Sequence, residues 1–319
     1  MNEVPLPMVD FPPGALEEVV HWLTPERLAA LIDATDLRAD TPGAGIRALA
    51  EAAIRYRCAA VCVNPGEVDF LPRLLAGTGV KECYVVDFPL GRSTLAMKAQ
   101  QAARIVAESR ALRQEGPGWV ELDMVIHVGR FRDDPDYTRQ EVAAVVEAAD
   151  GEIVKVIIRS SELRPEEIPL ACRMAQEAGA HFVKNSTGME AFGATPEHIR
   201  RMREAVGPGM GVKAAGGIRT AADAARLIYA GAPSAELRTP ERFRLGTSSL
   251  TGLLTTLERL QENPSALSDA IPCSYCPSGY AEKQTPELRA AALALCPHCP
   301  HRHRREEWLA LLYRPPSPA

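Results

Sequence analysis

Three lysines sit inside apolar, β-rich runs, where a charged amine is out of place: Lys155 in IVKVII, Lys184 in FVK and Lys213 in GVKAA. The chain has only six lysines against thirty arginines, so lysine is not its everyday surface cation. A buried ammonium costs several kcal/mol unless it is paired or loses its proton. Arginine cannot lose that proton; lysine can, and the neutral amine attacks carbonyl carbon to form Schiff bases. A single strand-end lysine is readily explained by snorkelling to water. Three in successive strands, in a chain that serves its surface with arginine, point to a built site. The stretch from His181 to Gly188 brings Lys184 to a small, polar loop, Asn185-Ser186-Thr187-Gly188.

Other polar residues interrupt or end strand-like runs: Asp33, Asp123 and His127. Alternation along a strand puts Asp123 on the same face as Glu121, Val125 and His127. If these groups converge, a second ammonium beside Lys184 is expected to lower its pKa, as a Schiff-base lysine requires. Asp123 is expected to move protons to and from the carbinolamine and enamine. A purely structural Asp–Lys ion-pair network is the competing explanation. An anion site is a second, independent signal. One strand ends in Lys213-Ala214-Ala215-Gly216-Gly217, and the last ends in Gly246-Thr247-Ser248-Ser249 directly before a helix. Glycine-rich loops and a helix start suit a phosphate.

Positioning these groups needs a regular scaffold. Strand-like runs begin near Leu31, Cys58, Cys83, Val120, Ile153, His181, Gly211 and Phe243, spaced 25 to 37 residues apart. Helical patterns lie between them, among them Gly45–Tyr56, Thr94–Gln114 and Arg139–Ala149. Such alternation predicts an α/β fold, a closed (β/α)₈ TIM barrel of residues 27–264. An open doubly wound sheet is the runner-up, but Gly207-Pro208-Gly209-Met210-Gly211 precedes a strand and is not a dinucleotide fingerprint. Residues 1–26 are expected to form an N-terminal arm and helical extension, with Thr24-Pro25-Glu26 as a helix start, acting as a cap or an oligomer contact. A last helix, Leu250 to Asn263, closes the barrel.

Seven segments carry the site: Ala60-Val61-Cys62-Val63-Asn64-Pro65, Asp87-Phe88-Pro89-Leu90-Gly91, Glu121 to Ile126, Lys155 to Ile158, Phe182 to Gly188, Val212 to Thr220 and Gly246 to Ser249. In kind and order, over residues 27 to 260, they resemble the deoxyribose-phosphate aldolase family. The resemblance implies a class I aldolase that reversibly cleaves 2-deoxy-D-ribose 5-phosphate to D-glyceraldehyde 3-phosphate and acetaldehyde. It makes Lys184 the Schiff-base amine, Lys213 its tuning partner and Asp123 the proton relay. Asp33 supports that carboxylate and Cys62 lines the site. Lys155, Thr187, Gly188, Gly216, Gly217, Gly246, Ser248 and Ser249 are implied to surround the substrate and its phosphate. No cofactor is implied for catalysis. Four places depart from the family pattern: Ala34 and Asp36 in the first strand, His127 where Asn is common, Arg159-Ser160 for a Glu-Thr pair, and Asn185 where Thr usually follows the nucleophile.

Beyond residue 264 the composition shifts to Cys, Pro, His and Arg. In residues 265–319, Cys273-x₂-Cys276 and Cys296-x₂-Cys299 form two CxxC knuckles nineteen residues apart, the pattern of a structural zinc site. The net charge of −5 gives no reason to expect nucleic acid or an anionic membrane. No apolar run approaches the ~20 residues of a membrane span. The N-terminus lacks a secretory signal pattern, so a cytoplasmic homo-oligomer, a dimer, is expected. Two readings stand beside the leading one. They are a Schiff-base lyase for another phosphosugar, and a catalytically weakened barrel serving as a zinc-tailed interaction module.

Overall fold

The computed structural model describes residues 14–190 and 192–262. In chain order these form α1 (Ala15–Trp22), α2 (Pro25–Ala30), β1 (Ile32–Asp36), α3 (Gly43–Tyr56), β2 (Ala60–Val63), α4 (Leu71–Leu75), β3 (Lys81–Val86) and α5 (Leu95–Arg113). Then come β4 (Val120–Val125), α6 (Val128–Asp133), α7 (Pro135–Ala148), β5 (Ile153–Ile157), α8 (Glu167–Glu177) and β6 (Phe182–Lys184). The last elements are α9 (Pro196–Val206), β7 (Gly211–Ala215), α10 (Ala221–Gly231), β8 (Phe243–Thr247) and α11 (Leu250–Glu262).

The eight strands are parallel and close in sequence order, β8 pairing back onto β1 through Ile32 opposite Leu245 and Asp33 opposite Gly246. This is the predicted barrel. The Cys-rich tail with Cys273, Cys276, Cys296 and Cys299, and the proline-rich arm, lie outside the described residues. Among the described residues no helix is long and apolar enough to cross a membrane.

Helix boundaries follow local chemistry. Thr94 accepts from Met97 N to start α5, and Gln114, at φ 57°, stops it. α7 begins earlier than the expected Arg139, because Asp134 caps it and Pro135 takes the first turn, where a missing N–H costs nothing. The expected helix start at Thr24-Pro25-Glu26 is present: Thr24 caps α2 through Arg27 N, and α1 precedes it. α1 packs on α10 and α11 and buries Val19 and Val20, while Glu18 pairs with Arg238 at 2.6 Å, so this extension caps the barrel wall.

The main apolar core lies between sheet and helices, with Leu122, Met124, Val154, Val156, Val183 and Val212 pointing outward into it. The lumen is different. At β2 and β3 it holds Ala60, Cys62, Cys83 and Val85. At one end the Phe182 ring fills the space where a Gly211 side chain would go, and the Arg244 guanidinium lies 5.7 Å from its centroid. Most of the remaining lumen is charged. Barrels are usually filled by bulky branched residues, so this lumen gives up apolar packing for the site.

Candidate active site

Register brings the site together. Asp123 pairs with Lys155 across β4 and β5, Lys184 with Lys213 across β6 and β7, and Lys213 with Arg244 across β7 and β8. Because residues two apart on a strand share a face, all these side chains enter the same lumen. Lys184 Nζ and Lys213 Nζ each lie 2.7 Å from the same atom, Asp123 Oδ2. Lys213 also reaches Asp33 Oδ2 at 2.6 Å, and Lys155 reaches Glu121 at 2.5 Å, Asp33 at 2.8 Å and Asp123 at 3.3 Å. Arg244 closes the cluster, 2.6 Å from Asp33 and 2.9 Å from Glu121. Four buried cations thus face three buried carboxylates, one positive charge in excess. Lys184 has one carboxylate partner where Lys213 has two and Lys155 three.

The charges hold each other. Burial works against ionised Asp123, yet the ammonium groups of Lys155, Lys184 and Lys213 keep its carboxyl well below the usual carboxylate range. Burial likewise disfavours charged Lys213, but Asp123 and Asp33 raise its pKa above that of an ordinary lysine. Lys213 therefore stays an ammonium. The lysine proximity expected from the sequence is present, with a shared carboxylate between the two amines.

Cys62 and Cys83 line the same floor. Cys83 Sγ donates to Asp123 Oδ1 at 3.1 Å, and Cys62 Sγ lies 3.9 Å from Oδ2. A hydrogen bond with Cys83, helped by Lys213 and against the effect of burial, brings the Cys62 thiol down to about 7. The Cys62, Cys83 and Asp123 donor atoms lie within 4.8 Å of one another, a spacing that suits a metal ion. The Asp123 oxygens already face three ammonium groups, however, and these repel a further cation.

The loops above the lumen are laced together. Thr247 Oγ1 donates to Ile218 O at 2.7 Å and Ser249 Oγ to Arg219 O at 3.2 Å, tying the loop after β8 to the loop after β7. Gly188 and Gly216, at φ 82° and 90°, bring the loops after β6 and β7 into contact; a side chain on Gly216 would meet Gly193 Cα at 2.8 Å. Gly246 faces the lumen, where a Cβ would press on Lys213 Cε at 3.1 Å. Gly188, Gly216 and Ser249 thus stand at one end of the barrel, in the adjoining loops after β6, β7 and β8.

Two residues noted in the sequence stand elsewhere. His127 does not continue the Asp123 face: the chain turns at φ −84°, ψ 85°, and the ring accepts from Arg130 N to cap α6. Asn185 faces away from the lumen, and its Oδ1 accepts from Ala215 N at 2.8 Å, joining the ends of β6 and β7. Arg159, another departure, holds Glu162 at 2.7 Å and Pro89 O. Arg244, Cys83 and Glu190 were not singled out in advance. Arg244 carried a signal in FRLGT, a charge inside an apolar strand; Cys83 and Glu190 carried none.

Next to this rim, His198 Nδ1 lies 3.0 Å from Ser160 Oγ, and burial pulls its pKa down to about 4. In the unfolded chain an imidazole titrates near about 6.5. Acidification therefore protonates the unfolded chain first, and stability falls from pH ~6.5 down to about pH 4. His198→Gln is expected to remove this part of the acid sensitivity. Urea unfolding at neutral pH and near pH 4.5 measures it; an unchanged loss in the variant would refute the assignment.

Residues 28–261 match the family model described as DeoC/LacD family aldolase. A deoxyribose-phosphate aldolase from Clostridium perfringens (strain SM101 / Type A) is 45% identical over 209 residues, 65% of this chain and 89% of that protein. One from Geobacillus sp. (strain WCH70) is 43% identical over 224 residues, 70% of this chain and 92% of that protein. The tetrameric deoxyribose phosphate aldolase from Aeropyrum pernix superposes with a TM-score of 0.67 at 30% identity, covering 79% of this chain and 100% of its own.

Proposed function

The chain belongs to the DeoC/LacD family of aldolases, and from that premise we propose that it reversibly cleaves 2-deoxy-D-ribose 5-phosphate to D-glyceraldehyde 3-phosphate and acetaldehyde, with Lys184 as the Schiff-base amine. The observation that carries this reading is the single oxygen, Asp123 Oδ2, shared at 2.7 Å by Lys184 and Lys213.

Lys184 Nζ, once its ammonium has given a proton to water, attacks the aldehyde carbon of the open-chain sugar, and loss of water leaves an iminium. A base takes the proton of the C3 hydroxyl; the C2–C3 bond breaks, its electrons flow to the iminium nitrogen, and glyceraldehyde 3-phosphate departs. The enamine carbon then takes up a proton, and water releases acetaldehyde from the amine. Asp123, acting with water, passes these protons on. Its depressed pKa means that it does not keep a proton for long. Lys213 remains charged beside the shared oxygen. Asp33 and Lys155 fix Lys213 and Asp123 in place.

In this reading the iminium is the electron sink, so no metal or organic cofactor takes part, and the substrate phosphate is held by the mouth loops with Thr187, Gly188, Gly216, Gly217, Gly246, Ser248 and Ser249. The free, buried thiols Cys58, Cys62, Cys83 and Cys172 suit a reducing cytoplasm. The tetrameric Aeropyrum pernix relative supports a homo-oligomer.

Borohydride reduction in the presence of acetaldehyde tests the assignment. Lys184 is expected to be recovered as its ethyl derivative in a peptide map. Recovery of unmodified Lys184, or of the label on another lysine, would overturn it.

A further inference from the structure

The loop that follows the Lys184 strand carries its own anion. Glu190 is only 6% exposed, and its carboxylate is folded back over the preceding residues. Oε1 accepts from Thr187 N at 3.0 Å; Oε2 accepts from Thr187 N and Gly188 N, both at 3.1 Å, and from the Ser186 hydroxyl. Ser186 Oγ accepts in turn from Gly188 N at 2.8 Å, and Arg159 Nε stands 4.0 Å from Oε1. Successive backbone N–H groups plus a hydroxyl are a nest for a phosphate as much as for a carboxylate. This nest borders the loop after β7: a side chain on Gly216 would lie 3.4 Å from Ser186 Oγ and 3.3 Å from Gly188 Cα. A carboxylate and a phosphate cannot occupy it together, because both are anions seeking the same donors.

We propose that Glu190 is a specificity-determining residue, an internal anion that fills the Ser186–Gly188 nest, competes with the substrate's phosphate end and narrows the preference for phosphorylated over unphosphorylated sugars. The inference rests on the aldolase reading above. Compared with a barrel whose nest is open, this enzyme handles the phosphorylated substrate at reduced affinity. Unphosphorylated 2-deoxyribose, which makes no claim on the nest, is unaffected.

The test compares Glu190→Ala and the near-isosteric Glu190→Gln with the native enzyme, using 2-deoxyribose 5-phosphate and 2-deoxyribose as substrates. Inorganic phosphate serves as a competitive inhibitor of the second. In Glu190→Ala the KM for the phosphorylated substrate and the inhibition constant of phosphate are both expected to fall, by on the order of tenfold, with kcat kept. The KM for 2-deoxyribose stays the same, and Glu190→Gln moves in the same direction by less. Equal changes for both substrates, unchanged phosphate inhibition, or failure of both variants to fold would make Glu190 a structural clasp and overturn the proposal. Acetaldehyde trapping on Lys184 in the same preparations separates the two levels. If trapping fails in the native enzyme the aldolase reading falls; if it succeeds while phosphate affinity ignores residue 190, only this inference falls.

Discussion

Lys184→Leu is expected to abolish cleavage of 2-deoxyribose 5-phosphate, by at least ~10⁴-fold in kcat, while the barrel stays folded and its unfolding midpoint is kept or raised. Removing a covalent nucleophile leaves only binding and the remaining polar groups to act, hence the size of the loss. The stability half of the expectation comes from the charge balance. Lys184 holds one carboxylate, and that carboxylate keeps Lys213 at 2.7 Å and Lys155 at 3.3 Å. Without Lys184 the buried charges become equal, Lys155, Lys213 and Arg244 against Asp33, Glu121 and Asp123. Removing one partner of a buried pair is costly when it leaves a charge unpaired; here Asp123 keeps Lys213 and Lys155, so an apolar replacement of similar volume is expected to cost little.

Lys213→Leu should behave in the opposite way. It leaves the same charge balance but strips a partner from both Asp33 and Asp123, so it should lower the unfolding midpoint where Lys184→Leu does not. Thermal unfolding of both variants, with acetaldehyde trapping, separates the nucleophile from its neighbour. A trapped adduct on Lys213 in the Lys184→Leu protein would reverse the assignment.

The barrel was readable from sequence because parallel strands covered on both faces read as short apolar runs, and the intervening helices are rich in Ala, Leu, Glu and Arg. Strand starts fall within two residues of expectation: β2 opens at Ala60 against Cys58, and β3 at Lys81 against Cys83. The lysine pattern was also sound as far as it went, since Lys155, Lys184 and Lys213 do meet. Burial of a lysine is not itself the signal, however. Lys98, on α5 outside the lumen, is fully buried and spends its ammonium on Glu141, Val125 O at 2.8 Å and Gly91 O at 3.0 Å. What marks the site is register on neighbouring strands, a property of the closed sheet. Arg244 lacks the mark that sets the lysines apart, because a guanidinium keeps its proton, yet it pairs with Glu121 and Asp33 in the lumen. His127 was misplaced because alternation holds only while the strand lasts. Glu190 was invisible because its place depends on a loop folding back, which no local periodicity encodes.

Asp123→Asn gives the second large effect, and its alkaline behaviour is the sharpest check on the cluster. The amide keeps the shape but removes one negative charge, leaving four buried cations against Asp33 and Glu121. Stability at neutral pH should fall by about 3–5 kcal/mol. Turnover measured well below the unfolding midpoint should fall by roughly 10²–10⁴-fold, since proton transfer is lost while Lys184 remains.

In the native protein, the elevated pKa of Lys213 means that its contribution is complete below the unfolded lysine value of about 10.4 and fades as pH rises through the higher folded one. In the variant Asp123, the foremost carboxylate holding that proton, is gone. The crowded ammoniums then hold their protons less well than in the native fold, so between neutral pH and the unfolded lysine value of about 10.4 the variant's stability should rise relative to that of the native protein, whose own curve slopes there because burial raises its thiols. Denaturant titrations over that range measure the slope. A slope in Asp123→Asn equal to the native one would mean that the lysines do not depend on this carboxylate, and the proton relay assigned to it would lose its electrostatic basis.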